Sequence, residues 1–499
     1  MTRRTITPRV LRVPFGLLVA LAGAALGAQD TSQRAVEHFL DLRRIDSLMR
    51  VGAPAQAQPL LERAIPRDST NGALVFQLAR ALALQGRCRE AIPHYRRAWR
   101  MGFSNGPYGA LSLARCHARV RDRNAALAWL DTALAHRLDG RTSTIGEDSA
   151  FAFMRDDPQF RRRAGLLPPG RVTRVAGWRH DIALFAEEVR RLHPGADRPG
   201  IAREFQRRVE ALHLNVARLD DDAIMAELLR LTVLLGDGHS NLWWPTPGRV
   251  LQMNTYEFAD GHFLVDADST AAPWIGSRVL SVGGVSLDSL RAAITPFMHR
   301  DNPMTLAWQF PVYLGLVRML HLAGAATTAE GAWVTLQSPT GGVGRVFVKA
   351  DTIWRERKLG PPRGVAGEPP LWLQHVDRNY WFSVLPAERA VYWQMNQVWG
   401  ERGFPVQALA DSLWGTLERV QARALVVDLR LNNGGNAFLT NPLLEVVSAF
   451  ARGDTARRVV VISGRGTFSA AQILLTRLER YTNVIVAGEP SSSSPNFVG

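Results

Sequence analysis

Apolar and polar positions change their spacing three times along the chain. From about Thr31 to Leu138 small residues return at a fixed interval: Gly52, Ala57 and Ala64 reappear 34 positions on as Gly86, Ala91 and Ala98. Ala91 and Ala98 find Ala126 and Ala133 at 35, as Leu78-Ala79-Arg80 finds Leu113-Ala114-Arg115. Small residues at that period suit helix-turn-helix units stacked side by side, where paired helices approach closely. The segment therefore resembles three irregular tetratricopeptide-type repeats, with a generic helical bundle as the plainer reading. Asp156–Pro169 reads as a linker. Helical spacing resumes over Gly177–Leu235, clearest in Phe185–Leu192 and Ile224–Leu235.

From Val250 to about Val348 the pattern shortens to β runs: Phe263-Leu264-Val265, Arg278–Val282, Trp333–Leu336 and Arg345–Val348. Gly283-Gly284 separates one of these from a helical run at Ser289–Phe297, and Asp301–Leu322 reads as helix. Gly360–Pro370, rich in Gly and Pro, marks a boundary. Beyond it strands and helices alternate: Arg389–Asn396, Pro405–Val420, Ala424–Leu431, Asn441–Ala451, Arg458–Ser463, Ser469–Tyr481 and Asn483–Ala487. That order predicts a largely parallel sheet covered on both sides. Sites in such sheets form at the carboxyl ends of strands, where the Asn432-Asn433-Gly434-Gly435-Asn436 turn and Ser469 fall.

Composition narrows the setting. The 499 residues are 46% hydrophobic and 21% charged, which suits two or three packed domains. Arg3, Arg4, Arg9 and Arg12 precede the uncharged run Val13–Ala28, the layout of a secretory signal peptide, so an exported, periplasmic or extracellular protein is expected. A retained N-terminal anchor is the alternative. Cys88 and Cys116 are too few for a disulfide framework and read as packed helix interior. The net charge of +15 is carried almost wholly by arginines scattered without a basic tract, Lys349 and Lys358 being the only lysines; nucleic acid is not an expected partner.

Two places carry candidate chemistry. Ser469 sits where a strand passes into a helix, so its hydroxyl faces the free N–H groups and positive dipole end of that helix. It can be a nucleophile there, or an ordinary N-cap forming a capping box with Gln472. His239, within Gly236-Asp237-Gly238-His239-Ser240, is a loop histidine that titrates near neutrality and can act as a base, or be held by structural hydrogen bonds.

Ala424–Asn436 (ALVVDLRLNNGGN), Gly466–Gln472 (GTFSAAQ) and Val486–Glu489 (VAGE), with Asp237–Ser240 and Arg278–Val285 upstream, resemble the tail-specific, or C-terminal-processing, serine peptidases, a group that includes the tricorn core protease. The resemblance covers about Arg179 to Gly499. The helical N-terminal module lies outside it, so the chain reads as multidomain: that module, a β-rich, PDZ-like segment at 246–350, and, as the resemblance implies, a crotonase-like α/β core at 371–499. The resemblance also implies Ser469 as nucleophile, with the oxyanion held by the N–H groups of Ala470 and of Gly434 or Gly435. Many members use a lysine base on the strand after the nucleophile helix; here that place falls in Pro490–Pro495 (PSSSSP), and no lysine follows Lys358. A serine hydroxyl cannot replace a lysine amine as base near neutrality. The histidine-base, tricorn-like branch is closer, with His239 as base and Ser240 as a supporting residue; Glu489, the one nearby acid, is a supporting residue or a structural one. The acid that would orient the base is expected past residue 499, the chain reading as a fragment. No metal or cofactor is implied, and the expected substrate is a peptide or a protein C-terminus. A non-catalytic, ligand-binding or scaffold protein on the same fold is the other reading, with the helical repeats binding a partner.

Overall fold

The computed structural model describes residues 15–103, 105–244, 248–352 and 368–497. Arg3, Arg4, Arg9 and Arg12 of the leader, Pro245, Lys358, most of the Gly360–Pro370 boundary and Gly499 lie outside them. The chain forms two compact units, residues 1–180 and 181–499.

The first unit is helical. After a helix over Phe15–Arg50, helices Pro54–Arg67, Gly72–Leu84, Cys88–Arg100, Pro107–Arg119 and Arg123–Ala135 follow one another through short turns. The recurring alanines explain the period: Ala57, Ala64, Ala91, Ala98, Ala126 and Ala133 are all 0% exposed, so each small side chain lies where neighbouring helices touch. Cys88 and Cys116 are buried free thiols. Asp156–Pro169 is not a bare linker. Asp157 accepts from the N–H of Gln159 to cap a short helix, Pro158–Arg163, and Phe160 is fully buried against Phe151, ring centroids 5.5 Å apart. No helix among the described residues is long and apolar enough to cross a membrane.

The second unit opens within the helix Arg174–Leu192, and helices Pro199–Asn215 and Asp221–Val233 follow. An antiparallel sheet follows, built from β1 (Val250–Leu251), β2 (Met253–Phe258), β3 (Gly261–Ala267), β4 (Arg278–Val282), β5 (Val285–Ser286), β6 (Gly331–Gln337) and β7 (Val343–Asp351). Its order is β1-β7-β6-β4-β3-β2, with β5 beside β4. The helical reading of Asp301–Leu322 resolves into Pro303–Gly315 and Val317–Leu322, which share one core with this sheet through Phe310, Leu314 and Leu320.

The last sheet carries the candidate chemistry. It comprises β8 (Tyr380–Leu385), β9 (Ala390–Met395), β10 (Ala424–Asp428), β11 (Arg458–Ser463) and β12 (Ile485–Gly488), in the order β12-β11-β10-β9-β8. β9 to β12 run parallel and β8 closes the edge antiparallel to β9. Ala424 stands opposite both Ala390 and Arg458, and every residue of β9 is buried, as a central strand covered on both faces requires. Helices Val406–Arg419, Asn441–Gly453 and Ala470–Tyr481 bury Leu413, Val447, Phe450, Leu474 and Leu478 in the same core as Trp393, Leu425 and Val461. The alternation of elements predicts this sheet except for β8, whose pairing is a hairpin contact rather than a strand-helix-strand unit.

Candidate active site

Both turns sit at carboxyl ends of neighbouring parallel strands, and backbone bonds weld them together. The N–H of Phe468 donates to the carbonyl of Asn432, 3.0 Å, and the Thr467 hydroxyl donates to the carbonyl of Leu429, 2.7 Å, while accepting from the N–H of Gly464. Asn432 and Thr467 are fully buried. The glycine turn is stitched on its other side to Val398: the Val398 N–H donates to Gly434 O and the Asn436 N–H donates to Val398 O.

The double glycine is a steric requirement. Gly434 has φ 102° and Gly435 φ 135°, in the region L side chains avoid. A methyl on Gly434 would lie 2.7 Å from the Ser469 Cβ, and one on Gly435 2.4 Å from the Val398 carbonyl oxygen. The turn thus brings backbone N–H groups against Ser469 where any other residue would collide.

Ser469 is not a capping residue, which corrects the capping-box reading. Its φ of 55° and ψ of −120° lie outside the conformation that caps a helix, and its side chain makes no cap hydrogen bond. Gln472, the other half of that box, instead donates to the Thr476 hydroxyl, 3.0 Å, and accepts from the Ser491 hydroxyl. The helix begins at Ala470, with the Ser469 hydroxyl half-buried and unbonded among the described residues at its mouth. A non-glycine residue at such dihedrals stores roughly 1–3 kcal/mol and persists only where the surroundings enforce it.

The oxyanion donors divide. The Gly434 N–H is already given to the side chain of Asn432, 2.9 Å, so Gly434 supplies the space rather than the donor. The N–H groups of Gly435 and Ala470 have no acceptor among the described residues.

His239 reaches this corner through aromatic packing. Its ring lies flat between Phe468, centroids 4.4 Å apart at 18°, and Phe497, 4.2 Å at 14°. Both ring nitrogens are buried without a hydrogen-bond partner, so the imidazole stands beside the residue preceding Ser469 but makes no hydrogen bond to its hydroxyl in this conformation. Burial holds its pKa below 6.5, against a smaller upward pull from Asp237 and Asp301. A neutral, unbonded imidazole is a competent proton acceptor.

The two supporting candidates separate. The Ser240 hydroxyl donates to the Asp237 carboxylate, 2.6 Å, on the His239 loop. The Glu489 carboxylate is held by Arg465, through both side-chain and backbone N–H, which is the structural one of its two roles. Pro490–Pro495 forms a loop against the Ser469 turn. Ser492 N–H donates to Thr467 O, 3.1 Å, and Ser469 N–H to the Ser493 hydroxyl, 3.4 Å. Asp301, which no sequence motif marked, bonds both this loop and the His239 loop.

Beside the corner opens a largely apolar cavity of about 530 Å³, lined by Leu242, Trp244, Trp308, Val312, Leu316 and Phe468 among others. His299 on its wall is held by burial at a pKa of about 4 and is therefore neutral. No group of metal-ligating side chains forms among the described residues.

No protein-family model and no curated protein sequence matches the chain. Among solved structures it is similar to mature CPAF complexed with lactacystin, over 64% of this chain and 85% of that one, at 11% identity and a TM-score of 0.46. It is similar to the photosystem II D1 C-terminal processing protease over 64% and 82% of the two chains, at 12% identity and a TM-score of 0.32. A protease of Bacteroides fragilis matches over 51% and 66%, at 14% identity and 0.24. At these scores the chain's own residues, not the likeness, carry a functional reading.

Proposed function

We propose that the chain is a serine endopeptidase of the tail-specific type, cleaving peptides or protein C-termini through an acyl-enzyme on Ser469. The observation that carries this reading is a single one: Ser469 is held in a left-handed, strained conformation at a helix mouth while its hydroxyl does no structural work. In the proposed reaction His239 takes the hydroxyl proton as the oxygen attacks the substrate carbonyl. The carbonyl oxygen, becoming negative, receives the N–H groups of Gly435 and Ala470. His239 then returns the proton to the departing amine, and water releases the acyl group by the same route. The ring must turn toward Ser469 within its aromatic slot for the transfer. The core is read as crotonase-like and of the tricorn-like, histidine-base branch. The helical repeats are read as tetratricopeptide-type and as a docking surface for substrate or a partner, with the protein exported.

Ser469→Ala tests the proposal. Wild-type protein should be labelled by a fluorophosphonate probe and the variant should not, with peptide hydrolysis lost in parallel; equal labelling of both ends the assignment. A second reading, a non-catalytic binder of apolar ligands, is favoured by the absent Ser469–His239 hydrogen bond and the 530 Å³ apolar cavity. Wild-type protein that binds an apolar ligand and never labels would select it.

A further inference from the structure

We propose that Asp301 is the positioning residue of this site, a carboxylate that fixes the His239 loop and the nucleophile turn to a common point. The inference rests on the peptidase reading for its consequence but on hydrogen bonds for its basis. One carboxylate oxygen, Oδ1, accepts from the N–H of Gly238, 2.6 Å, next to His239 in sequence. The other, Oδ2, accepts from the N–H of Ser494, 2.8 Å, 193 positions away. Charge-assisted bonds of this length are about twice as strong as neutral ones, so the two loops are tied through one side chain.

The tie extends into a clamp. Asn302 Nδ2 donates to Ser491 O, 3.1 Å, and the Thr305 hydroxyl donates to Ser492 O, 2.6 Å. The start of helix Pro303–Gly315 therefore grips three of the four serines of PSSSSP, and its capping box, Asn302 with Thr305, fixes the clamp itself. The gripped loop in turn bonds Thr467 and Ser469. Gly238 is part of the same device: a methyl there would sit 3.0 Å from the Asp301 carboxyl carbon, tighter than ordinary contact. A loop that carries a base thus has its backbone anchored to the segment that backs the nucleophile, where a displacement of about 1 Å can cost on the order of a hundredfold in rate.

Asp301 also faces His239 electrostatically. The charged and titratable groups around the imidazole are Asp237 on its own loop and Asp301 and His299 from the segment before the helix; Phe468 and Phe497 cover its faces and carry no charge. Asp301 and Asp237 both favour the protonated ring, against burial. Asp301 therefore holds the place of the base and adds a smaller upward pull against the lowering of its pKa by burial.

The test uses the full chain with Asp301→Asn, which is nearly isosteric, and Asp301→Glu, which keeps the charge on a longer arm. Two quantities are read: the rate of fluorophosphonate labelling against pH, and the titration of the His239 ring by NMR of histidine-labelled protein, its resonance named by its loss in His239→Gln. In Asp301→Asn the labelling rate should fall about tenfold or more and the His239 midpoint should move down by about half a pH unit. Asp301→Glu should restore the midpoint while the rate stays reduced. An unmoved midpoint with an unchanged rate in Asp301→Asn overturns the inference. If wild-type protein never labels, the peptidase reading has failed by itself, and the NMR midpoint decides: a downward shift keeps Asp301 as the partner of the His239 loop, no shift removes it.

Discussion

The ring of His239 lies on the ring of Phe468, 4.4 Å away and 18° from parallel, so a residue from the middle of the chain is registered against the one preceding Ser469. Neither group reaches this place by hydrogen bonding between side chains. Flat packing excludes water from the imidazole, and the lost hydration is the largest cause of its lowered pKa. Phe468→Ala should therefore raise the His239 midpoint toward 6.5, measured by NMR, and slow fluorophosphonate labelling. A midpoint that falls or stays would show that the stack does not control hydration of the ring.

Ser469→Gly should separate strain from chemistry. Glycine adopts φ 55°, ψ −120° without a Cβ penalty, whereas alanine keeps it. Relief of roughly 1–3 kcal/mol, less the extra backbone entropy of glycine, leaves the glycine variant about 1 kcal/mol more stable than Ser469→Ala in urea unfolding. Both should be unlabelled. Equal stability of the two would mean that the turn is not strained.

Gly435→Ala places a methyl 2.4 Å from the Val398 carbonyl oxygen, so the turn must shift and carry the Gly435 N–H with it. Loss of one oxyanion donor costs about a hundredfold or more in kcat. Hydrolysis should fall by that order while Ser469 stays chemically accessible to small electrophiles. Undiminished hydrolysis in a folded variant would place the oxyanion elsewhere.

Stability should depend on pH through the buried histidines. His193, His239 and His262 are held below 6.5, and His299 at about 4, in each case chiefly by burial. Between about 4 and 6.5 the unfolded chain binds protons that the folded chain refuses, so stability rises with pH across that window and is lost as pH falls through it. His299 alone contributes on the order of 3 kcal/mol to this loss. Urea midpoints at pH 7 and pH 4.5 give the comparison, and His299→Gln should flatten the difference. An unflattened difference would assign the pH dependence to other groups.

At the end of β10, Asp428 is 1% exposed and accepts from the Tyr392 hydroxyl, 2.7 Å, and from the Arg430 guanidinium, 2.6 Å. Removing the carboxylate leaves the Tyr392 hydroxyl with Gln394 alone and takes from the half-buried Arg430 guanidinium its ion partner. Asp428→Ala should lose roughly 3 kcal/mol or more in urea unfolding, whereas a loss under about 1 kcal/mol would show that water replaces the carboxylate.

Local physics made much of the fold legible in the chain. Alternating apolar runs located β9 to β11 and their helices, because each must bury a face or two regardless of its neighbours, and the apolar run at β12 marked a strand that lies exposed at the sheet edge. The 34-residue return of small residues located the paired helices, because only a small side chain fits where two helices touch. Gly434 and Gly435 and the Ser469 turn were visible for the same reason, since a turn of this kind tolerates few residue types.

What the sequence could not settle was which polar group meets which. Ser469 with Gln472 satisfies a capping pattern, and only the dihedral angles of the folded turn take the serine out of that role. Glu489 is near the site in sequence, yet Arg465 claims it. Asp301 belongs to no motif, and His239 lies 230 positions from Ser469. That Asp301 bonds both loops and that His239 packs on the residue preceding Ser469 depends on strands β10 and β11, the helix at Pro303–Gly315 and the serine loop packing to one geometry, since hydrogen bonds and ring contacts act over a few ångströms and spacing along a chain carries no record of them.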